Sequence, residues 1–370
     1  MNVGHRMAYP FLPAIARGLG VSLASAGLLM TARSAVGLAS PLFGPLSDRF
    51  GRRRMMAAGL LLLCGGSMLI ALIPHYPAAV AGFLLLGLAK IVFDPSLQAY
   101  LGDRVPYRRR GLVIAVTELS WAGAILLGAP AIGWLIERAG WRMPFGVLAA
   151  LAVAGLAAFL WALPNDDRSA AGAFARSFSA AFRLVLSQRA AVGALSVTFL
   201  LMMANEVLFI VYGTWMETSF GLSVSRLGLA TTVIGVAELL GEIGVGGLAD
   251  RLGKRRAVTA GLALTSVAYV ALPFVSTALR PALAGLFLLF FGFEFTIVAV
   301  IPLATELVPA ARGTMMALNV AALSLGRAVG APLGTALWSA GGLFWNGLLA
   351  GLITLVAFGL LTRSIGADTP

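Results

Sequence analysis

The chain has 370 residues, 59% of them hydrophobic and only 11% charged, with a net charge of +12 and a mean hydropathy of +0.93. A soluble domain is about 25% charged and about 45–50% apolar, so these figures exclude a water-soluble globular protein and point to an integral membrane protein. The positive charge sits in short clusters between apolar runs, which excludes a nucleic-acid-binding face and fits topology control; a single cysteine (Cys64) and two distant histidines (His5, His75) leave no disulfide, metal site or cofactor to expect.

A bilayer core of about 30 Å needs about 20 apolar residues in a helix. Breaks at charged or proline-containing stretches predict spans at 1–17, 24–46, 55–74, 78–100, 111–135, 144–164, 190–212, 224–248, 257–277, 281–306, 313–338 and 341–362. The fold class is therefore an all-α integral membrane bundle of twelve transmembrane helices. Between the sixth and seventh, GAFARSFSAAFRLVL (172–186) spaces Phe174, Phe178 and Phe182 four residues apart, as in an amphipathic helix lying on the membrane surface. Eighteen of the 27 Lys and Arg fall in 47–54, 101–110, 165–189, 249–256, 307–312 and the C-terminal tail, against five (Arg17, Arg138, Arg142, Arg226, Arg280) in the alternate loops. The first set is predicted to be cytoplasmic, the C-terminus included, in a multi-pass protein of the cytoplasmic (inner) membrane.

Between spans 2 and 3, GPLSDRFGRRR packs four Arg and one Asp into eleven residues, and GGLADRLGKRR at Gly246–Arg256 matches it at seven positions with an offset of 202. The offset recurs: RVPYRRRG ends at Gly111 and LVPAARG at Gly313, and GAP at 128–130 returns at 330–332. The chain thus reads as two parallel six-helix repeats, 1–164 and 190–370, joined by a linker at 165–189, an architecture of transporters with their substrate site at the repeat interface. Subtracting 202 from the start of span 7 falls before Met1, so the first helix reads as N-terminally truncated by about a dozen residues, with a natural start upstream.

GPLSDRFGRRR and its weaker second copy closely resemble the signature loop of the major facilitator superfamily, a G-x-L-x-D-R-x-G-R-R pattern. Within it, YPFLPAIARGLGVSLASAGLL and GAPAIGW of span 5 look like the drug and metabolite proton antiporters, although Ala129 precedes Pro130 and Trp134 replaces the second Gly of that group's motif. The resemblance implies a conformational latch at Gly44, Asp48, Arg49, Gly51, Arg52 and Arg53, and at Gly247, Asp250, Arg251 and Arg255, in which Asp48 and its Arg neighbours hold the two halves together in the outward-facing state. The alternative is that these charges only fix topology.

Ionisable residues inside spans are costly and mark function by default. Glu238 lies twelve residues before Asp250, roughly 18 Å deep at about 1.5 Å per residue, with Glu242 one turn shallower on the same face. Glu294, within FFGFEF, is also near the middle; Arg33 and Arg327 lie about as deep, and Glu206 sits beside Asn205 in span 7. Lys90 and Asp94 are helical neighbours and form either a neutralising pair or a substrate site; Glu118 is either a partner for a loop Arg or a site residue. Glu238 and Glu294 have no partner on their own helices and are candidate proton carriers. Arg33 or Arg327 could pair with a Glu across the bundle, and Arg6 in span 1 is a candidate anion contact. The aromatics Phe290, Phe291, Phe293 and Phe295 surround Glu294, half facing lipid and half a cavity.

The expectation is a secondary transporter of a small organic solute, working by alternating access, coupled to protons, exporting, and acting as a monomer without nucleic-acid partners. The alternative is proton-coupled uptake of an organic anion on Arg33, Arg327 or Arg6. A membrane enzyme is opposed by the lack of HExxH, GxSxG or Walker-type sequences, and a sensor would need a soluble signalling stretch.

Overall fold

The computed structural model describes residues 1–104, 120–162 and 174–364. Every regular element among them is a helix, as a lipid-embedded backbone requires when no water can satisfy its N–H and C=O groups. In chain order they are α1 (Asn2–Arg6), α2 (Leu12–Leu19), α3 (Leu23–Ala35), α4 (Ser40–Phe50), α5 (Arg52–Leu72), α6 (Tyr76–Arg104), α7 (Ser120–Ala139), α8 (Met143–Ala162), α9 (Phe174–Ser187), α10 (Arg189–Phe209), α11 (Tyr212–Phe220), α12 (Val224–Leu252), α13 (Lys254–Val275), α14 (Leu279–Leu307), α15 (Arg312–Gly341) and α16 (Leu343–Ser364). Eleven stretches of the described residues are long and apolar enough to cross a membrane, with α10 and α11 counted together, and α1 with α2 completes the set of twelve. Large apolar side chains such as Trp161, Leu127 and Val267 lie exposed on the outside of the bundle, as a hydrocarbon solvent allows.

The first span is broken. Pro10 has no N–H to give and Pro13 suits the first turn of a new helix, so the chain leaves helical geometry over Met7–Phe11. The Tyr9 N–H bonds to the Arg6 carbonyl, and the His5 carbonyl, which a continuous helix would have bonded to it, is left open. Span 7 breaks at the repeat-related place, between α10 and α11, and the two breaks touch. Gly213 packs so closely on Pro10 that a Cβ there would lie 2.0 Å from the Pro10 carbonyl oxygen.

The charged stretch at 44–54 is helical almost throughout: α4 runs to Phe50 and α5 begins at Arg52. The charge run suggests a loop, but the reversal takes one residue, Gly51, at φ 93°, and its counterpart Gly253 repeats it at φ 83°. These angles exclude most side chains and explain why both copies of the motif carry glycine there. Beside each turn an Arg reaches the end of the sixth helix of its own repeat. Arg53 Nη2 donates to the Leu160 carbonyl at 2.6 Å, and Arg255 Nη2 to the Thr362 carbonyl at 3.5 Å. Both pairs are 107 residues apart and related by the same offset of 202. Each Arg thus reaches a backbone carbonyl in the last described turn of that helix.

The repeats meet along two seams, α3 with α15 and α7 with α12, which the offset interchanges. Glycines line both. A Cβ on Gly27 would lie 2.9 Å from Thr335 Cγ2; one on Gly228 would lie 2.6 Å from the Ala129 carbonyl oxygen, and one on Gly235 would lie 2.9 Å from the Leu126 nitrogen. Small residues let membrane helices approach closely. The amphipathic segment is α9, at the place its spacing predicts, with Val185 buried against the bundle and Phe182, Leu184 and Leu186 exposed.

Candidate transport site at the bundle centre

Broken spans within a membrane leave backbone groups that must find partners, and such breaks line sites. Here the His5 carbonyl left open by the first break accepts from Arg33 Nη1 of α3. Arg6, at the end of α1, forks onto Glu238 of α12, with Nη1 to Oε2 at 2.6 Å and Nη2 to Oε1 at 2.5 Å. Their side chains are 5% and 1% exposed. This is a fully buried bidentate pair, strong in geometry and costly to break on one side. It joins the two repeats across 232 residues of sequence.

Trp121 of α7 collects the neighbouring cations. The Arg6 guanidinium lies 4.6 Å from its ring centre, Lys90 Nζ 5.0 Å and the Arg327 guanidinium 5.9 Å, within range of cation–π attraction. Arg6 Nη1 also donates to the Trp121 carbonyl at 3.3 Å. Lys90 binds Asp94 at 2.5 Å and Asn2 Oδ1 at 2.9 Å, and Asn2 in turn donates to Ser120. Arg327 reaches across from α15 to His5 Nε2 at 2.6 Å, and its Nε contacts the Met202 sulfur at 3.2 Å. Tyr9 donates to Glu206 Oε2 at 3.0 Å and stacks on Phe209 at 4.7 Å. Glu294, 5% exposed, lies in electrostatic reach of Glu238, Arg6, Glu242 and Arg327.

Arg6, Arg33, Lys90, Glu206, Glu238, Glu294 and Arg327 thus come together from seven spans, with Glu242 and Asp94 beside them. Glu118 lies outside the described residues. So do the side chains of Asp48, Arg49, Asp250 and Arg251; Gly44 falls within α4, and Gly51, Arg52, Arg53, Gly247 and Arg255 are described too, at the end of the bundle holding the Gly51 and Gly253 turns. Two expectations change. Glu238 is not a lone carboxylate, because its partner Arg6 comes from the other repeat rather than from its own helix. Phe290, Phe293 and Phe295 are all buried, at 1%, 5% and 6% exposure, so the aromatic run around Glu294 faces the protein more than lipid.

His5, Tyr9, Trp121, Asn2 and Met202 are site residues that the sequence reading passed over. The helical spacing of Asn2, His5, Arg6 and Tyr9 was the available signal, since it puts a polar face on an otherwise apolar span. At the far end of the bundle, Arg17 and Glu217 form a second inter-repeat pair, at 2.6 and 3.2 Å.

The sequence model of the Major Facilitator Superfamily matches residues 2–204 and again 194–369. The chain is 28% identical over 356 residues to the inner membrane transport protein YdhP of Escherichia coli (strain K12), covering 94% of this chain and 89% of that one. It is 27% identical over 298 residues to a multi-drug resistance efflux pump PmrA homolog of Lactococcus lactis, covering 77% and 72%. Its fold superposes on the crystal structure of a D-xylose-proton symporter with a TM-score of 0.78 over 99% of this chain and 94% of the other, at 17% identity. A double match to one family, two six-helix repeats and a charged centre between them identify a multi-pass secondary transporter: the chain belongs to the major facilitator superfamily.

Proposed function

We propose that this transporter exports a small organic solute across the cytoplasmic membrane in exchange for protons, using the central cluster as both substrate and proton site. The observation that carries the reading is the buried Arg6–Glu238 pair. Its members belong to different repeats, so rocking of the halves must strain or release it. A proton on Glu238 removes the charge that holds Arg6, and substrate entering beside Glu294, Lys90 and Arg327 competes for the same groups. Alternating access then needs only that proton and substrate favour different arrangements of one site. Export is supported by the efflux-pump relative, and the cytoplasmic membrane by the relative named as an inner membrane transport protein.

The proposal places the two halves at 1–164 and 190–370 with 165–189 as the linker, and the C-terminus in the cytoplasm with the positive loops. It assigns the Gly44–Arg53 and Gly247–Arg255 motifs a latching role at that end, where Asp48→Asn should cut turnover without lowering insertion.

The test is reconstitution of the full chain in proteoliposomes with a pH-sensitive dye inside and an imposed pH gradient, using ethidium as the added solute. Proton movement on adding ethidium, lost in Glu238→Gln, supports the coupling. Solute movement indifferent to the gradient and to Glu238→Gln overturns it.

A further inference from the structure

Arg33 differs from every other cation of the central cluster. It is 1% exposed. Its Nη1 is used by the His5 carbonyl; the Tyr9 hydroxyl stands beside the guanidinium, but Nε and Nη2 make no hydrogen bond of good geometry. Arg6 is held by Glu238, Lys90 by Asp94 and Asn2, and Arg327 by His5 and Met202. Nε and Nη2 together form one edge of a guanidinium, the edge whose two parallel N–H groups fit the two oxygens of a carboxylate. Glu206 is in electrostatic reach of Arg33, but its Oε2 is tied to the Tyr9 hydroxyl and it supplies no oxygen to that edge.

The fold needs one donor here, not a whole guanidinium: the carbonyl related to that of His5 by the repeat, Val207, takes its hydrogen bond from the neutral Asn346 at 2.7 Å. The position related to Arg33 by the repeat is Gly235, which packs against Leu126 with no side chain at all. A buried charge absent from one copy and half-satisfied in the other is a binding group rather than a structural one. Its surroundings also say what the rest of the ligand is. The Arg33 guanidinium lies 5.1 Å from the Tyr9 ring centre, Tyr9 stacks on Phe209 at 4.7 Å, and Phe209 meets Phe290 edge-on at 5.3 Å. Tyr9, Phe209 and Phe290 thus form a continuous aromatic series beside the guanidinium.

We infer that the substrate is a lipophilic monocarboxylate, its carboxylate taken side-on by the Nε–Nη2 edge of Arg33 and its apolar body laid against Tyr9 and Phe209. This rests on the reading of the central cluster as the substrate site, and it narrows the solute to one chemical class. His5, which contacts Arg327 through Nε2 and Arg33 through its carbonyl, fixes the spacing of the two guanidiniums around the carboxylate.

The test uses three probes of one shape: benzoate, benzamide and benzylammonium. Purified full-length protein is melted with each, because a ligand that binds only the folded state raises the melting temperature. Benzoate is expected to stabilise, and the amide and ammonium are not. In Arg33→Lys, which keeps the charge and loses the two-toothed edge, the benzoate concentration needed for the same shift should rise at least tenfold, with the ligand-free melting temperature little changed. If Arg33→Lys does not purify as a single species, the comparison of benzoate with benzamide in the wild type decides. Equal shifts from all three probes, benzylammonium alone, undiminished benzoate binding in Arg33→Lys, or no shift from benzoate each overturn the inference. Proton movement with ethidium but no benzoate binding sinks the carboxylate and keeps the coupled exporter; benzoate binding with no Glu238-dependent proton movement when benzoate itself is the added solute does the reverse.

Discussion

The end of the bundle that carries the charged motifs and the interior between the repeats obey opposite rules. At the motif end the repeat is kept in detail: Gly51 and Gly253 share a backbone angle, and Arg53 and Arg255 reach the same place on their own sixth helices. In the interior the repeat is broken at nearly every charge. Arg6, Arg33 and Lys90 correspond to Leu208, Gly235 and Gly292; Glu206, Glu238 and Glu294 correspond to Gly4, Val36 and Val92. Cations thus collect in the first repeat and carboxylates in the second, with Arg327 and Asp94 the exceptions. The motif end does the same mechanical job twice, so duplication preserves it. On the proposed function the central cluster grips one asymmetric molecule once, so duplication only supplies the positions and divergence supplies the charge.

This contrast can be broken or sharpened by substitution. The largest effect is expected for Arg6→Ala, which leaves Glu238 buried and unpaired and should cost about 3–5 kcal/mol by unfolding in detergent. Replacing both partners with leucine should recover most of that stability while transport stays lost; a double variant as unstable as the single one would make the pair structural. Next come Gly51→Ala and Gly253→Ala, about 1–2 kcal/mol each for a side chain forced into left-handed backbone. The two should match, and a twofold disparity would show that the turns are not equivalent. Arg53→Ala should cost about 1 kcal/mol and speed amide exchange near Leu160, with a weaker effect of Arg255→Ala near Thr362, whose bond is longer. The smallest change is expected at Arg17→Ala. That pair is 60% exposed on the Arg side, so its loss should cost no more than about 1 kcal/mol and vanish in high salt.

The spans and the repeat were legible because they are written in composition: apolar runs of fixed length, and one motif returning at a fixed offset. The intramembrane charges were legible one by one, since any ionisable residue among Leu and Ala stands out. Their pairing was not. Arg6 and Glu238 are 232 residues apart, and no local pattern says that the first and eighth spans face each other at that depth. The break at Met7–Phe11 was hidden for another reason. Its prolines were visible, but the freed His5 carbonyl becomes meaningful only once Arg33 of another span fills it. The motif loops were misread in extent, because a dense charge run looks like a solvated turn while Arg is also a good helix former and one glycine suffices to reverse the chain.

The seams are joints made by leaving something out. Where Gly235 meets the backbone of Leu126 and Gly228 meets that of Ala129, the gap for even one methyl group is missing. Such a joint can be jammed with a doorstop: Gly235→Ala should hold α7 and α12 ajar while leaving the α3–α15 seam, which is made by other helices, unobstructed. A single added carbon would then freeze a moving machine part-way through its stroke, without touching any residue that binds its cargo.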